Sequence, residues 1–493
     1  MGEPKLKRLA ESTLRNVEVR NGIEVSGYPR SERAKVLHVG VGAFHRGHLA
    51  PYFDTMNAQL DEPWLIHGAS LQTPRAGQQL NPQDGLFLHQ AHGADKPHYR
   101  LIRSLLRVGY VAEETDDLIA HIAAPTTQLL TLTITEKGYC LDTVTGLLDR
   151  DHPLIQHDLT TDGAPQTAIG FMLRGLKERR ARAGGPLTIL SCDNLIQNGR
   201  RCRESVLSFA ELWDPTLAVW IEAQVRFPSS VVDRICPAVT EADRVRAQQL
   251  LTLEDRGTVV AEDFCEWVIE DDFAGAKPPL ELAGVTWVDN VASFEARKLR
   301  LLNAGHSALA YLGGLLGRST VHDAIATPTL AGFINDLWLE IGATLDGDAA
   351  SSAPDYCAAL LTRFANPNLD HPLEQIGTDG SQKLPLRIIA PLQERLERGL
   401  ASPRLTEVVA AWLYWQWGTT LSGAPLSFSD PLAAQFKSVL GQRQRCTVPA
   451  AIDLARSYPP LAALLGRFPA WESDLGQAFA SLPDKLLGQT EAR

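Results

Sequence analysis

Through the first half of the chain, short apolar runs alternate with amphipathic stretches. The change of period from one to the next predicts alternating strands and helices. Lys35–Val41, Trp64–Ser70 and Leu187–Ser191 read as strands, and Arg46–Leu60 and Thr167–Arg182 as helices. Gln128–Thr135 is apolar and β-branched throughout, as a parallel strand covered on both faces should be. Such alternation predicts a doubly wound α/β sheet. Val285–Val291 reads as a last strand after a loop at Gly275–Pro279. Beyond it the period becomes helical, over Ser293–Leu316, Thr329–Leu345, Tyr356–Phe364, Pro385–Arg398, Leu405–Trp417 and Pro431–Leu440. The expectation is an α/β N-terminal domain over residues 1–285 and a mainly α-helical C-terminal domain over 286–493.

Composition narrows the classes. The 493 residues are 44% hydrophobic and 21% charged, enough to bury a large core. A net charge of −11 argues against a nucleic-acid partner, because phosphates would be repelled. The seven cysteines are scattered without a C-x-x-C, which disfavours a disulfide framework or a structural zinc and fits a reducing, cytoplasmic setting. Met1–Arg20 is charged and lacks the apolar core of a signal peptide. The best apolar run, Val408–Trp417, falls short of the roughly 18 residues that span a bilayer.

The first chemical signal is Val36-Leu-His-Val-Gly-Val-Gly-Ala-Phe-His-Arg-Gly-His48, a strand, a glycine turn and a helix start. Gly40 would permit the tight turn. Gly42 would let the backbone approach a pyrophosphate at the helix N-terminus, as in a Rossmann-like dinucleotide site. His45 stands where the third glycine of the usual fingerprint would be. After the second strand the chain reads Gly68-Ala-Ser-Leu-Gln-Thr-Pro-Arg75, with no carboxylate for the adenosine ribose. Gln72 or Thr73 could bond a ribose hydroxyl, and Arg75 could tolerate a 2′-phosphate, so NAD is expected with NADP left open.

The second signal is Leu190-Ser-Cys-Asp-Asn194, a buried strand with a polar end, where open α/β sheets bind ligands. The third is Phe294-Glu-Ala-Arg-Lys-Leu-Arg-Leu-Leu-Asn-Ala-Gly-His306. With Lys298 at zero and about 100° per residue, Glu295 falls near 60°, His306 near 80° and Asn303 near 140°. The leucines 299, 302 and 309 share that arc, so part of the polar group should be buried. A desolvated lysine can act as a general base, and carboxamides can stabilise a developing alkoxide, which suits alcohol oxidation. A solvated helix face is the ordinary alternative.

In these segments the chain resembles the mannitol dehydrogenase family, the polyol-specific long-chain dehydrogenases. The resemblance runs from about Val36 to the last helices. Its motifs stand here as Gly40 to His48, Thr133-Ile-Thr-Glu-Lys-Gly-Tyr139, Ser191 to Asn194, Phe227-Pro-Ser-Ser-Val-Val-Asp-Arg-Ile235, Glu266-Trp-Val-Ile-Glu-Asp271, Lys298 to His306 and Asp379-Gly-Ser-Gln-Lys383. It implies that Lys298 is the general base, that Asn194 and Asn303 polarise the reacting oxygen, and that His306 orients substrate. It also implies that Glu295 passes the proton to solvent and that Asp233 and Lys383 contact substrate. Phe44, Arg46, Val232 and Arg234 would lie along the cofactor, and no metal would be bound.

The chain departs from the family pattern in three places. Asn303-Ala-Gly-His306 replaces Asn-Gly-Ser-His, and Glu262-Asp-Phe264 replaces Glu-Pro-Phe. Gln375 stands where mannitol-specific members tend to carry an arginine. With Thr133 to Tyr139 and Asp151-His-Pro-Leu-Ile-Gln-His-Asp158, this looks like the fructuronate reductase, or mannonate oxidoreductase, branch. Lys383 or Arg387 could then pair with a substrate carboxylate. The expected activity is NAD(H)-dependent interconversion of a keto-uronate and an aldonate. A hexitol or pentitol 2-dehydrogenase is the alternative within the class, and a dinucleotide- or sugar-acid-binding sensor the alternative outside it. The expected partner is a small sugar acid or polyol, with neither nucleic acid nor membrane, and the oligomeric state is open. His45 and His48 have H-x-x-H spacing but no further zinc ligands nearby. Cys192, Trp412, Trp415 and Trp417 read as packing, and Glu270 to Asp272 as a solvated turn.

Overall fold

In the computed structural model, residues 6–16, 22–31, 33–93, 96–142, 145–369, 371–441 and 446–488 are described. Of the charged N-terminal stretch, residues 1–5 and 17–20 lie outside them. The chain forms two units, Met1–Ala292 and Ser293–Arg493.

The first unit is built on a six-stranded parallel sheet ordered Leu105–Tyr110, Ile66–Ser70, Val36–Val39, Leu129–Leu132, Leu187–Ser191, Val225–Arg226. The apolar runs form the centre because helices cover both faces: every residue of the strands starting at Val36, Leu129 and Leu187 is buried. Val36 sits opposite both Ile66 and Leu129, so the glycine turn leaves the middle of the sheet. The expected helix at Thr167 begins with that residue as its cap. Thr167 Oγ1 accepts from the Gly170 amide at 2.9 Å and donates to Asp158 Oδ2 at 2.7 Å.

Of two smaller sheets, only the strand Thr286–Val288 was legible, within the expected Val285–Val291. One is ordered Ile23–Val25, His98–Ile102, Phe87–His92, Val259–Glu262. The other is Ser230–Asp233, Glu266–Glu270, Thr286–Val288. Their strands are short and partly polar, and they are held by distant partners. Asp255 Oδ2, for example, accepts from the Leu88 amide at 2.8 Å. Glu270 also departs from the solvated turn expected of it. It ends a strand half-buried and accepts from the amides of Ser229 at 2.9 Å and Val291 at 3.3 Å.

The second unit is helical, around a segment, Ala304–Leu315, whose every residue is buried. A helix apolar on all sides belongs at the centre of a bundle. Trp412 and Trp415 lie in its core, where Trp415 Nε1 donates to the Tyr311 carbonyl at 2.8 Å. The one long α-helix expected over Ser293–Leu316 is not uniform. Ala292–Arg297 is α-helical, Lys298–Asn303 is a π-turn, and α-winding resumes at Ala304. The spacing of 100° per residue therefore does not hold across this turn, whose wider winding brings Asn303 closer in angle to Lys298 than about 140°. Neighbours brace the widened turn. Trp338 Nε1 donates to the Leu301 carbonyl at 2.9 Å, and Arg300 bonds Glu394 at 2.5 and 2.8 Å and the Thr344 carbonyl at 2.7 Å.

Candidate functional site

Within the first unit, the carboxyl ends of the central strands open on a cleft of about 690 Å³. Gly40, Gly42, Arg46, Gln72, Thr73 and Arg75 line it, with Thr133 to Thr135 opposite. Gly40 has φ +100°, and a Cβ there would fall 2.1 Å from the Thr133 carbonyl oxygen, so only glycine fits. Gly42 is exposed, and a Cβ there would meet nothing nearer than 3.9 Å, which leaves its backbone open to a ligand. Arg46 Nη1 donates to the Gly257 carbonyl at 2.6 Å, so its guanidinium is fixed in the wall. Arg244, Arg256 and Lys137 add positive charge, and among the described residues no aspartate or glutamate lines the cleft. These residues fit an elongated anionic ligand such as a dinucleotide.

Beneath the turn, His38 Nδ1 lies 2.8 Å from Thr131 Oγ1, and its Nε2 lies 3.0 Å from Thr133 Oγ1 and 3.2 Å from the Gly40 carbonyl. His45 stacks on it with ring centroids 3.7 Å apart. Burial pulls His38 from its ordinary 6.5 down to about 3, against a weaker opposing effect of the Gly40 carbonyl. The unfolded chain therefore takes up a proton that the fold refuses. This contribution to stability is complete above pH 6.5 and is lost as the pH falls toward 3. A His38→Gln variant should show a slope of unfolding free energy against pH that is shallower by about 1.4 kcal/mol per pH unit between pH 6 and 4. Denaturant melts at several pH values measure it, and an unchanged slope would mean that His38 is not held neutral.

At the next strand end, Asp193 fixes the far wall of the cleft. Its Oδ1 accepts from the Thr135 amide at 2.7 Å, and its Oδ2 accepts from the Ile134 amide at 3.2 Å and the Tyr139 hydroxyl at 2.7 Å. The Tyr139 hydroxyl is also 2.5 Å from Ser191 Oγ. Burial raises the Asp193 carboxyl above its ordinary range, opposed by the bonds from Tyr139 and the two amides. Thr135, a β-branched residue, is held at φ 64°, a strained conformation that Asp193 secures. Asn194, the next residue, is exposed.

In the second unit, Lys298 and Glu295 are half-buried, while Asn303 and His306 are 9% and 7% exposed. The His306 ring packs on Phe364 at 4.7 Å and His371 at 5.0 Å, and its Nε2 is buried with no hydrogen-bond partner. Burial drives the His306 pKa well below 6.5, and the nearby His371 ring and the positive charges of Arg363, Arg387 and Lys298 push the same way. It is therefore a neutral imidazole amid cations. Arg387 Nη1 donates to Ser307 Oγ at 3.2 Å. Gly305, a departure noted above, lets Trp338 and Phe364 close in, to 3.2 and 3.3 Å of where a Cβ would be.

Other expected residues lie elsewhere. Phe44, Val232 and Arg234 are not among those lining the cleft. Phe44 stacks on His48 at 5.0 Å, Val232 is buried in a strand opposite Trp267, and Arg234 Nε donates to the Glu262 carbonyl at 2.8 Å. Asp233 is buried at the end of that strand. Lys383 Nζ bonds the carbonyls of Ile376 at 3.1 Å and Thr378 at 2.5 Å, capping a short helix. Gln375 is exposed on that helix. Cys192 is buried core, 1% exposed. No group of three or more His, Cys, Asp or Glu placed to hold a metal ion occurs among the described residues. Sequence reasoning missed Asp193, Tyr139, Arg244, Arg256, Arg363 and His371. Asp193 and Tyr139 stood inside quoted motifs, while the others carried no local signal.

A family model described as the mannitol dehydrogenase Rossmann domain matches residues 34–282, and one described as the mannitol dehydrogenase C-terminal domain matches residues 290–463. The D-mannonate oxidoreductase of Escherichia coli (strain K12) is 35% identical over 416 residues, 83% of this chain and 86% of its own. The mannitol 2-dehydrogenase of Phaeosphaeria nodorum is 36% identical over 444 residues, 88% of this chain and 78% of its own. Among solved structures, a Pseudomonas fluorescens mannitol 2-dehydrogenase in a ternary complex with NAD and D-mannitol matches with a TM-score of 0.85 at 30% identity. That match covers 99% of this chain and 100% of the other.

Proposed function

Because the chain belongs to the mannitol dehydrogenase family of oxidoreductases, we propose that it interconverts a keto-uronate of the fructuronate type and an aldonate of the mannonate type, with NAD(H) as hydride carrier. Identity alone does not choose the substrate, since the mannonate and mannitol relatives stand at 35% and 36%. The observation that carries the choice is the charge around His306. Lys298, Arg363, Arg387 and His371 all act on it electrostatically. A neutral polyol gains little from such a setting, whereas a carboxylate gains charge-assisted hydrogen bonds.

When bound, the nicotinamide supplies or accepts the hydride. In oxidation Lys298 takes the proton from the substrate hydroxyl, and in reduction it returns one to the oxygen. Asn303, at the other end of the π-turn from Lys298, donates its amide N–H to that oxygen, and Asn194 keeps the same role by its motif. His306, held neutral, donates to one substrate hydroxyl or accepts from another without competing for the proton. Glu295, one turn before Lys298, passes the proton to solvent. Asp233 remains a substrate contact by its motif. Arg387 and Arg363, whose charges act on His306, are the proposed partners for the carboxylate, while Lys383 bonds carbonyls at a helix end.

Side-by-side kcat/KM values for fructuronate and fructose with NADH test this reading. Fructuronate is expected to be favoured by roughly 10- to 100-fold, the worth of a hydrogen-bonded charge. A preference for fructose would assign the chain to hexitol or pentitol oxidation instead. Binding of both ligands without NADH consumption on any keto-sugar would make it a sensor.

A further inference from the structure

We propose that the cleft of the first unit carries a 2′-phosphate subsite formed by Arg75, Arg244 and Arg256, so that this chain takes NADP(H) as well as NAD(H). The inference rests on the reading above that the cleft holds a nicotinamide dinucleotide. In this fold the adenosine ribose lies beyond the second strand, where a carboxylate that bonds the 2′- and 3′-hydroxyls excludes a phosphate. Here the strand Ile66–Ser70 runs into Leu71-Gln72-Thr73-Pro74-Arg75. The excluding carboxylate is missing from this segment and, among the described residues, from the rest of the cleft lining.

Cations line the cleft instead. Arg75, Arg244 and Arg256 line the same cleft as Gln72 and Thr73. Arg244 pairs with Glu241 at 3.5 Å and Arg256 with Glu254 at 2.7 Å, each ion pair reaching the surface. Arg75 is exposed and forms no ion pair among the described residues. Arg75 and Arg244 are close enough to Arg46 for their charges to act on its guanidinium. The carboxylate that acts on Arg46, Asp255, is buried and committed to the amides of Leu88 and Gly257. The local field is thus positive, and a phosphate ester with about two negative charges would be drawn to it. Gln72 and Thr73 remain able to bond the hydroxyls of an unphosphorylated ribose, so NAD(H) is not refused.

Calorimetric affinities of the full chain for NADH, NADPH, 5′-AMP and 2′,5′-ADP decide the matter, because the last two differ only at the ribose. We expect NADPH to bind no more weakly than NADH and 2′,5′-ADP about tenfold more tightly than 5′-AMP. Raising the salt concentration should narrow the second gap. Arg75→Ala should lower the NADPH to NADH affinity ratio about tenfold, and Arg244→Ala should lower it further. Equal affinity for the two mononucleotides would overturn the proposal, as would an unchanged ratio in both variants. NADH binding with NADPH refused sinks this inference alone. Failure of NADH and 5′-AMP alike to bind sinks the dinucleotide reading with it.

Discussion

Lys298→Ala is expected to lower turnover by about 10²- to 10⁴-fold in both directions, the usual worth of a positioned acid–base group. Oxidation should suffer most at low pH, where hydroxide cannot replace the missing amine. The side chain is half-buried at the head of the π-turn, and the turn is held by other residues. Trp338 bonds the Leu301 carbonyl, and Arg300 is clasped by Glu394 and Thr344. Losing the amine should therefore spare the fold, with an unfolding midpoint near wild type. Steady-state rates across pH, with circular dichroism as the control, measure it, and added methylamine should recover part of the rate. Near-normal turnover in the variant would remove Lys298 from the chemistry.

Asp193→Ala should do a different kind of damage. Three donors, the amides of Ile134 and Thr135 and the Tyr139 hydroxyl, converge on one buried carboxylate. Each donor left unsatisfied costs about 1–3 kcal/mol, so a loss of roughly 3 kcal/mol or more is expected. Thr135 would also be released from its strained φ, and the cleft wall from Thr133 to Thr135 would relax. NADH affinity should fall together with stability, unlike in Lys298→Ala. Tyr139→Phe removes one donor and leaves both amides satisfied, so it should cost only about 1 kcal/mol. Urea midpoints and NADH titrations of the two variants measure this. An Asp193→Ala chain within about 1 kcal/mol of wild type would show that the amides find another acceptor.

The central strands were legible because burial on both faces leaves an unbroken apolar run. Leu187–Ser191 is recovered residue for residue, and Val36–Val39 lies within the expected Lys35–Val41. The strand Phe87–His92 was not legible. It is fully buried, yet reads Phe-Leu-His-Gln-Ala-His, and its polar residues make contacts far along the chain. Gln90 Nε2, for instance, bonds Thr258 Oγ1 at 3.0 Å. The cofactor turn could be read because glycine placement is a local steric demand. Around His306, Arg387 was read as a candidate for a substrate carboxylate, whereas Arg363 and His371 could not be, because they reach His306 only through tertiary packing. Lys383 looked like a ligand for the same reason: nothing local showed that the Ile376 and Thr378 carbonyls would claim it.

The extra residue wound into the lysine helix acts as a phase marker. Deleting any one position between Lys298 and Asn303 would let the segment settle into regular winding. Because the widened turn absorbs one residue within a single turn, everything before the cut would keep its phase relative to everything after it. The ammonium and the carboxamide would then stand four positions apart, about 40° from each other on regular winding. Forcing the uncut segment into a straight helix would instead carry the extra residue as a phase error of about 100°.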